Sequence, residues 1–97
     1  MRIIAKRTIR EFWESHPDAE SALREWYVEV AREDWSTPAE LIRRYPGSSI
    51  VGSDRAVFRI RGNNYRLVVR IFYPARTVYI RFVGTHAQYN RINAEEV

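Results

Sequence analysis

The chain of 97 residues has no cysteine. This excludes a disulfide framework, a thiolate metal site and a cysteine nucleophile, and it suits a reducing cytosol. Long hydrophobic runs are missing too. The apolar stretches are strand-sized, far short of the roughly 20 residues a membrane helix needs. No charged-then-apolar leader opens the chain, so the reading is a cytoplasmic protein with no signal peptide and no membrane partner. Histidine is scarce: only His16 and His86 are side chains able to titrate near neutrality. They lie far apart in sequence, so neither a dedicated metal site nor a cofactor is expected. A Walker A loop, a His-Glu-x-x-His helix and a Gly-rich dinucleotide loop are all absent, and no spacing supports a Ser-His-Asp triad.

The most informative absence is of acid. Residues 1–54 carry eight Lys/Arg against ten Asp/Glu, whereas residues 55–97 carry eight Arg against Glu95 and Glu96 alone. From Arg55 to Ala94 there is no carboxylate. Such asymmetry within one domain points to an anionic partner, nucleic acid first and a membrane surface second. Lys6 is the single lysine, so nearly every basic residue is Arg, which makes planar bidentate phosphate contacts and stacks on bases.

What is present reads as one α+β domain spanning 1–97. Met1 to Ala5 is a short apolar strand. Ile9, Phe12 and Trp13 recur at helical spacing over about 8–15. Pro17, with Asp18 and Glu20 behind it, opens a second helix running to Glu33-Asp34. Ala19, Ala22, Leu23, Trp26, Tyr27 and Val30 form its apolar stripe. Thr37-Pro38-Ala39-Glu40 is a capping box that starts a short helix ending near Arg44. The period then changes to 2, predicting strands at Arg55–Arg61, Tyr65–Tyr73 and Thr77–Val83. Gly62-Asn63-Asn64 reads as a hairpin turn, with the asparagines accepting positive φ. Thr85 reads as the cap of a final helical turn.

Alternation places Ala56, Phe58, Ile60, Tyr65, Leu67, Val69, Ile71, Val78, Ile80 and Phe82 on one face, for helices to cover. The other face carries Arg55, Arg59, Arg61, Arg66, Arg70 and Arg81, with Tyr79 among them. On a meander these arginines would share one surface with no acid to neutralise them. Arginines interleaved with an aromatic on an open sheet suit single-stranded RNA. Trp13 and Trp26 read as core. Trp35 is open between core and a partner contact, and His16 reads as a surface or capping residue.

Two stretches resemble the HigB-type toxin family. They are Val57-Phe58-Arg59-Ile60-Arg61-Gly62-Asn63-Asn64-Tyr65-Arg66-Leu67-Val68 and Val78-Tyr79-Ile80-Arg81-Phe82-Val83-Gly84-Thr85-His86-Ala87-Gln88-Tyr89. Phe12-Trp13, the Pro-started helix with Trp26, and Trp35 before Thr37-Pro38 extend the likeness to nearly the whole chain. The resemblance implies a RelE-like fold, with the N-terminal strand and two to three helices on one face of an antiparallel sheet. It implies a ribosome-associated mRNA endonuclease silenced by a HigA-like antitoxin, with DNA contacted only through the antitoxin complex. The family ending usually reads His-x-Glu-Tyr-Asp, and here His86-Ala87-Gln88-Tyr89-Asn90 replaces both acids by amides. Either the acids orient the histidine and activity suffers, or they shape the turn and nothing is lost.

Metal-free RNA cleavage through the 2′-hydroxyl needs proton transfer and charge stabilisation. His86 and Tyr89 are the candidates for the first. Arg66 and Arg81 are the candidates for the second. Arg55, Arg59, Arg61, Arg70 and Tyr79 would hold the RNA. The alternative is a non-catalytic RNA- or ribosome-binding module with the same basic face. A DNA-binding regulator fits less well, because no helix carries a basic recognition face.

Overall fold

The computed structural model describes residues 1–97. Five strands form one sheet: β1 (Arg2–Ile4), β2 (Ser49–Val51), β3 (Arg55–Ile60), β4 (Tyr65–Phe72) and β5 (Thr77–Thr85), in spatial order β1-β5-β4-β3-β2. The helices are α1 (Lys6–Ser15), α2 (Glu20–Ala31), α3 (Pro38–Arg44) and α4 (His86–Tyr89). The fold class is the α+β arrangement expected, with two departures. The sheet is mixed, because β1 runs parallel to β5 while all other pairs are antiparallel. β2 had no counterpart in the sequence reading; it is three residues long and exists by pairing with β3.

The inner face holds the core. Ala56, Phe58 and Ile60 of β3, Tyr65, Leu67, Val69 and Ile71 of β4, and Val78 and Ile80 of β5 are buried under Ile9, Trp13, Leu23, Trp26, Val30 and Leu41. Trp26 and Tyr45 both meet Phe58 edge-on, at ring centroids of 5.4 and 5.2 Å. The spacing that predicted the α2 stripe works because positions three and four apart share a helix face. Trp35 is only 2% exposed, so it belongs to this core and offers a partner no surface.

Local signals act much as read. Pro17 begins a 3-10 turn (Pro17–Ala19) that leads into α2. The Thr37 side chain accepts from the Glu40 backbone N–H at the start of α3. At the β3–β4 hairpin the positive φ falls on Arg61 (53°) and Gly62 (63°), not on the asparagines. Asn63 instead faces Arg66, as described below.

One irregularity changes the faces of β5. A bulge lies where β4 passes from Val68 to Val69: Val68 pairs with Phe82, but Val69 pairs with Ile80. The extra residue, Arg81, shifts the alternation by one. Phe82 therefore leaves the inner face, where strict alternation had put it, and Val83 takes its place against the core. Phe82 joins a second, smaller cluster on the outer face, where Val57, Val68 and Ala94 are buried and Val51, Tyr89, Ile92 and Val97 pack on them. The segment after β5 thus folds back over the outer face along the row from β2 through Val57 and Val68 to Phe82 of β5.

Candidate nucleic-acid interface

Register fixes the outer face row by row. Arg59, Arg66 and Gly84 form one row across β3, β4 and β5. Val57, Val68 and Phe82 form the next. Arg55, Arg70 and Tyr79 form the third, to which β1 adds Ile4. Phe72, Thr77 and Arg2 form the last. Arg55, Arg59, Arg66 and Arg70 therefore share the surface that alternation assigned them. Arg61 does not; it sits in the hairpin turn.

The expectation that no acid meets these arginines is overturned. Asp54, one residue before the acid-free stretch, bridges Arg55 and Arg70 at 2.8 Å each. The Arg70 hydrogen bond, with the charge of Arg55 beside it, holds the Asp54 carboxyl below its ordinary range. Arg55 also donates to the Val97 carbonyl oxygen through Nε and Nη2, at 3.1 and 2.8 Å, and its side chain is only 12% exposed. It fastens the C-terminal segment down. Arg61 reaches the helical layer and pairs with Asp18 at 3.1 Å. The Tyr65 hydroxyl donates to the same carboxylate at 2.5 Å, and that bond raises the tyrosine's pKa. Sequence distance hid Asp18, and a boundary drawn at residue 55 hid Asp54.

Arg66 is buried. Its Nη1 donates to the carbonyls of Asn63 and Tyr65, and its Nη2 to Asn63 Oδ1, at 3.0 to 3.3 Å. The guanidinium thus closes the hairpin from below. Arg59 and Arg81 differ: both are exposed, and neither takes part in an ion pair.

His86 and Tyr89 are placed by α4. Thr85 ends β5 opposite Tyr65, and its side chain accepts from the Gln88 backbone N–H at 3.1 Å. Gln88 Oε1 in turn accepts from the Thr85 N–H at 2.8 Å, completing a capping box. A glutamate would accept that bond in the same way, since the acceptor is an oxygen in either case. At position 88 the amide therefore keeps the turn that an acid would make. His86, the first residue of α4, is exposed, while Tyr89 is half-buried on the outer cluster. Gly84 is constrained: an added Cβ would lie 2.6 Å from Phe82 Cζ and 2.7 Å from Gln88 Oε1.

The other histidine is committed to packing. His16 stacks on Phe12 at 4.1 Å with an 8° interplanar angle, and meets Tyr65 edge-on. No three His, Cys, Asp or Glu side chains converge as metal donors, and no helix is long and apolar enough to cross a membrane.

A family model described as HigB toxin, RelE-like toxic component of a toxin-antitoxin system, matches residues 19–92. The chain is similar to the mRNA interferase HigB of Escherichia coli O6:H1, 26% identical over 94 residues, covering 95% of this chain and 91% of that protein. It is equally similar to the mRNA interferase toxin HigB of Escherichia coli K12, 26% identical over 96 residues, covering 97% and 92%.

Proposed function

Because the chain belongs to the HigB toxin family, the RelE-like toxic component of a toxin-antitoxin system, we propose that it is an mRNA endonuclease that cuts at the His86 end of the outer face. The relatives named mRNA interferase support the substrate and the reaction. The observation that carries the reading is a conjunction on β5. Exposed His86 and exposed, unpaired Arg81 flank the strand end, on either side of Phe82, which joins the outer cluster with the C-terminal segment.

The chemistry runs through the RNA itself. The 2′-oxygen attacks the adjacent phosphorus, the bond to the 5′-oxygen breaks, and the products are a 2′,3′-cyclic phosphate and a 5′-hydroxyl. One proton leaves the 2′-hydroxyl and one reaches the departing 5′-oxygen. His86 and Tyr89 are the groups we assign to these transfers. Arg81 is assigned to the charge that builds on phosphorus, because a fixed cation aimed at developing charge is usually the largest single contribution. Arg66, bound inside the hairpin, acts as a positioning residue that holds the row containing Gly84. Arg59 contacts phosphate. Arg55, Arg61 and Arg70 contribute field around the site while engaged with Asp54, Asp18 and Val97. Cleavage on the translating ribosome, silencing by a HigA-like antitoxin and a cytoplasmic setting belong to the same proposal.

The test is a purified translation reaction with a defined message. Cut mRNA bearing 2′,3′-cyclic phosphate ends, lost with His86→Ala, is the expected result. Blocked translation with intact mRNA would replace the endonuclease by a non-catalytic ribosome-binding inhibitor.

A further inference from the structure

Resting on that reading, we propose that Phe72 and Tyr79, flanked by Arg2, form a base-stacking platform for single-stranded RNA at the far end of the outer face from His86. Phe72 is 49% exposed, and the one other large hydrophobic residue as exposed is Val28, away on the helical layer. Alternation along β4 puts Phe72 on the same face as Arg70. Phe72 pairs with Thr77, and Arg70 pairs with Tyr79, so the two rings are diagonal neighbours across β4 and β5. Diagonal positions are within reach of aromatic side chains. Neither ring engages another aromatic ring or a cation in the chain. Phe72 is exposed and Tyr79 half-buried. On the far side of Thr77, β1 brings exposed Arg2 into the same row, and Arg2 makes no ion pair. Arg81 stands two residues beyond Tyr79 toward His86.

The surroundings select the ligand. A protein partner favours a contiguous apolar patch with a dry centre. Here a lone phenylalanine shares the face with Arg2, Arg70 and Tyr79, and Asp54, paired with Arg70, is also held by Arg55. Rings for bases beside cations for phosphates is the pattern of sequence-tolerant single-strand binding. Phe72 lies six residues along β4 from Arg66, or ~20 Å at ~3.3 Å per residue. The platform is therefore several nucleotides from the cut. It governs how tightly the RNA is held, and leaves the chemical step to the His86 end.

The experiment is fluorescence anisotropy with a labelled single-stranded oligoribonucleotide carrying 2′-O-methyl groups, which cannot be cut through the 2′-oxygen. Phe72→Ala is expected to weaken binding about five- to a hundredfold, the range for one base–aromatic stack. Phe72→Trp should keep wild-type affinity, and Phe72→Leu should behave like Phe72→Ala. With a cleavable message, Phe72→Ala should raise KM and leave kcat near wild type. Equal RNA affinity in Phe72→Ala and wild type overturns the platform, as does full affinity in Phe72→Leu. Unchanged RNA affinity with weakened antitoxin binding overturns it in favour of a protein-docking surface. A wild-type protein that neither binds the oligonucleotide nor cuts translated mRNA overturns the RNA reading and the platform together, a result distinct from the others.

Discussion

On the β3–β4 side of the outer face the arginines, Arg59 excepted, are structural residues. Arg55 clamps the C-terminal segment, Arg66 closes the hairpin, and Arg61 ties the hairpin to the helical layer through Asp18. Along β5 the same residue type stands free: Arg81 is exposed and unpaired, next to a bulge and ahead of an exposed histidine. Composition treats all of them as one basic surface. The difference is local: where a carboxylate or a turn carbonyl lies within reach, a guanidinium becomes a multidentate pin, and where none does, its charge remains available to a polyanion.

Substitutions on the two sides should therefore fail in opposite ways. The largest effect is expected from Arg81→Ala, which should lose about 100-fold in cleavage rate, the usual loss for one charge-stabilising group. Its stability should stay within about 0.5 kcal/mol of wild type, as for an exposed residue without a partner. Denaturant unfolding and single-turnover cleavage measure the two separately. Arg66→Ala should fail through the fold instead, losing about 2–3 kcal/mol of stability through its buried charge-assisted hydrogen bonds, with a cleavage loss smaller than that of Arg81→Ala. Normal stability in Arg66→Ala would show that the hairpin does not depend on its guanidinium, and would break the comparison.

Gly84→Ala sharpens the comparison at the point where the two sides meet. Its Cβ displaces the Phe82 ring and the Gln88 amide, the group that closes the capping box before His86. We expect about 1 kcal/mol of destabilisation from this overpacking, and a cleavage loss greater than that stability change explains. Gln88→Glu, by contrast, should retain the box and change cleavage by no more than a few-fold. A large gain of activity in Gln88→Glu would mean that the charge, and not the oxygen, is what the position needs.

The smallest effect concerns pH. Asp54 has a depressed pKa in the folded protein, chiefly through its hydrogen bond to Arg70. The unfolded state therefore takes up the proton first as pH falls. The contribution of Asp54 is fully present above the ordinary aspartate value of about 3.9 and is lost as pH drops through the lower folded value. Asp54→Asn should flatten that part of the stability–pH curve below about pH 4, with a small loss of stability at pH 7 that disappears as pH falls.

Much of this architecture was legible in the residues. The α2 stripe, the Thr37 cap and the period-2 runs from Arg55 onward act locally, and local patterns survive in sequence, although Glu40 closes on Ser36 and not on the Thr37 N–H as a full capping box would. So did the Thr85 cap that places His86. What stayed hidden depends on partners. β2 is too short to show a period and forms only because β3 lies beside it. The bulge at Arg81 is a property of two strands, so Phe82 and Val83 exchanged faces without a sequence signal. Asp18 meets Arg61 across 43 positions of chain. α1 begins at Lys6, two residues before its apolar spacing shows, and Trp35 is a single aromatic outside a periodic run, so no pattern assigns it a face.

The most direct test is to induce the protein in bacteria beside His86→Ala and map the 5′ ends of cellular mRNA. Growth arrest with new cuts inside coding regions, both lost in the folded variant, is the expected result. Growth arrest without new cuts, or cuts that persist in His86→Ala, would contradict it.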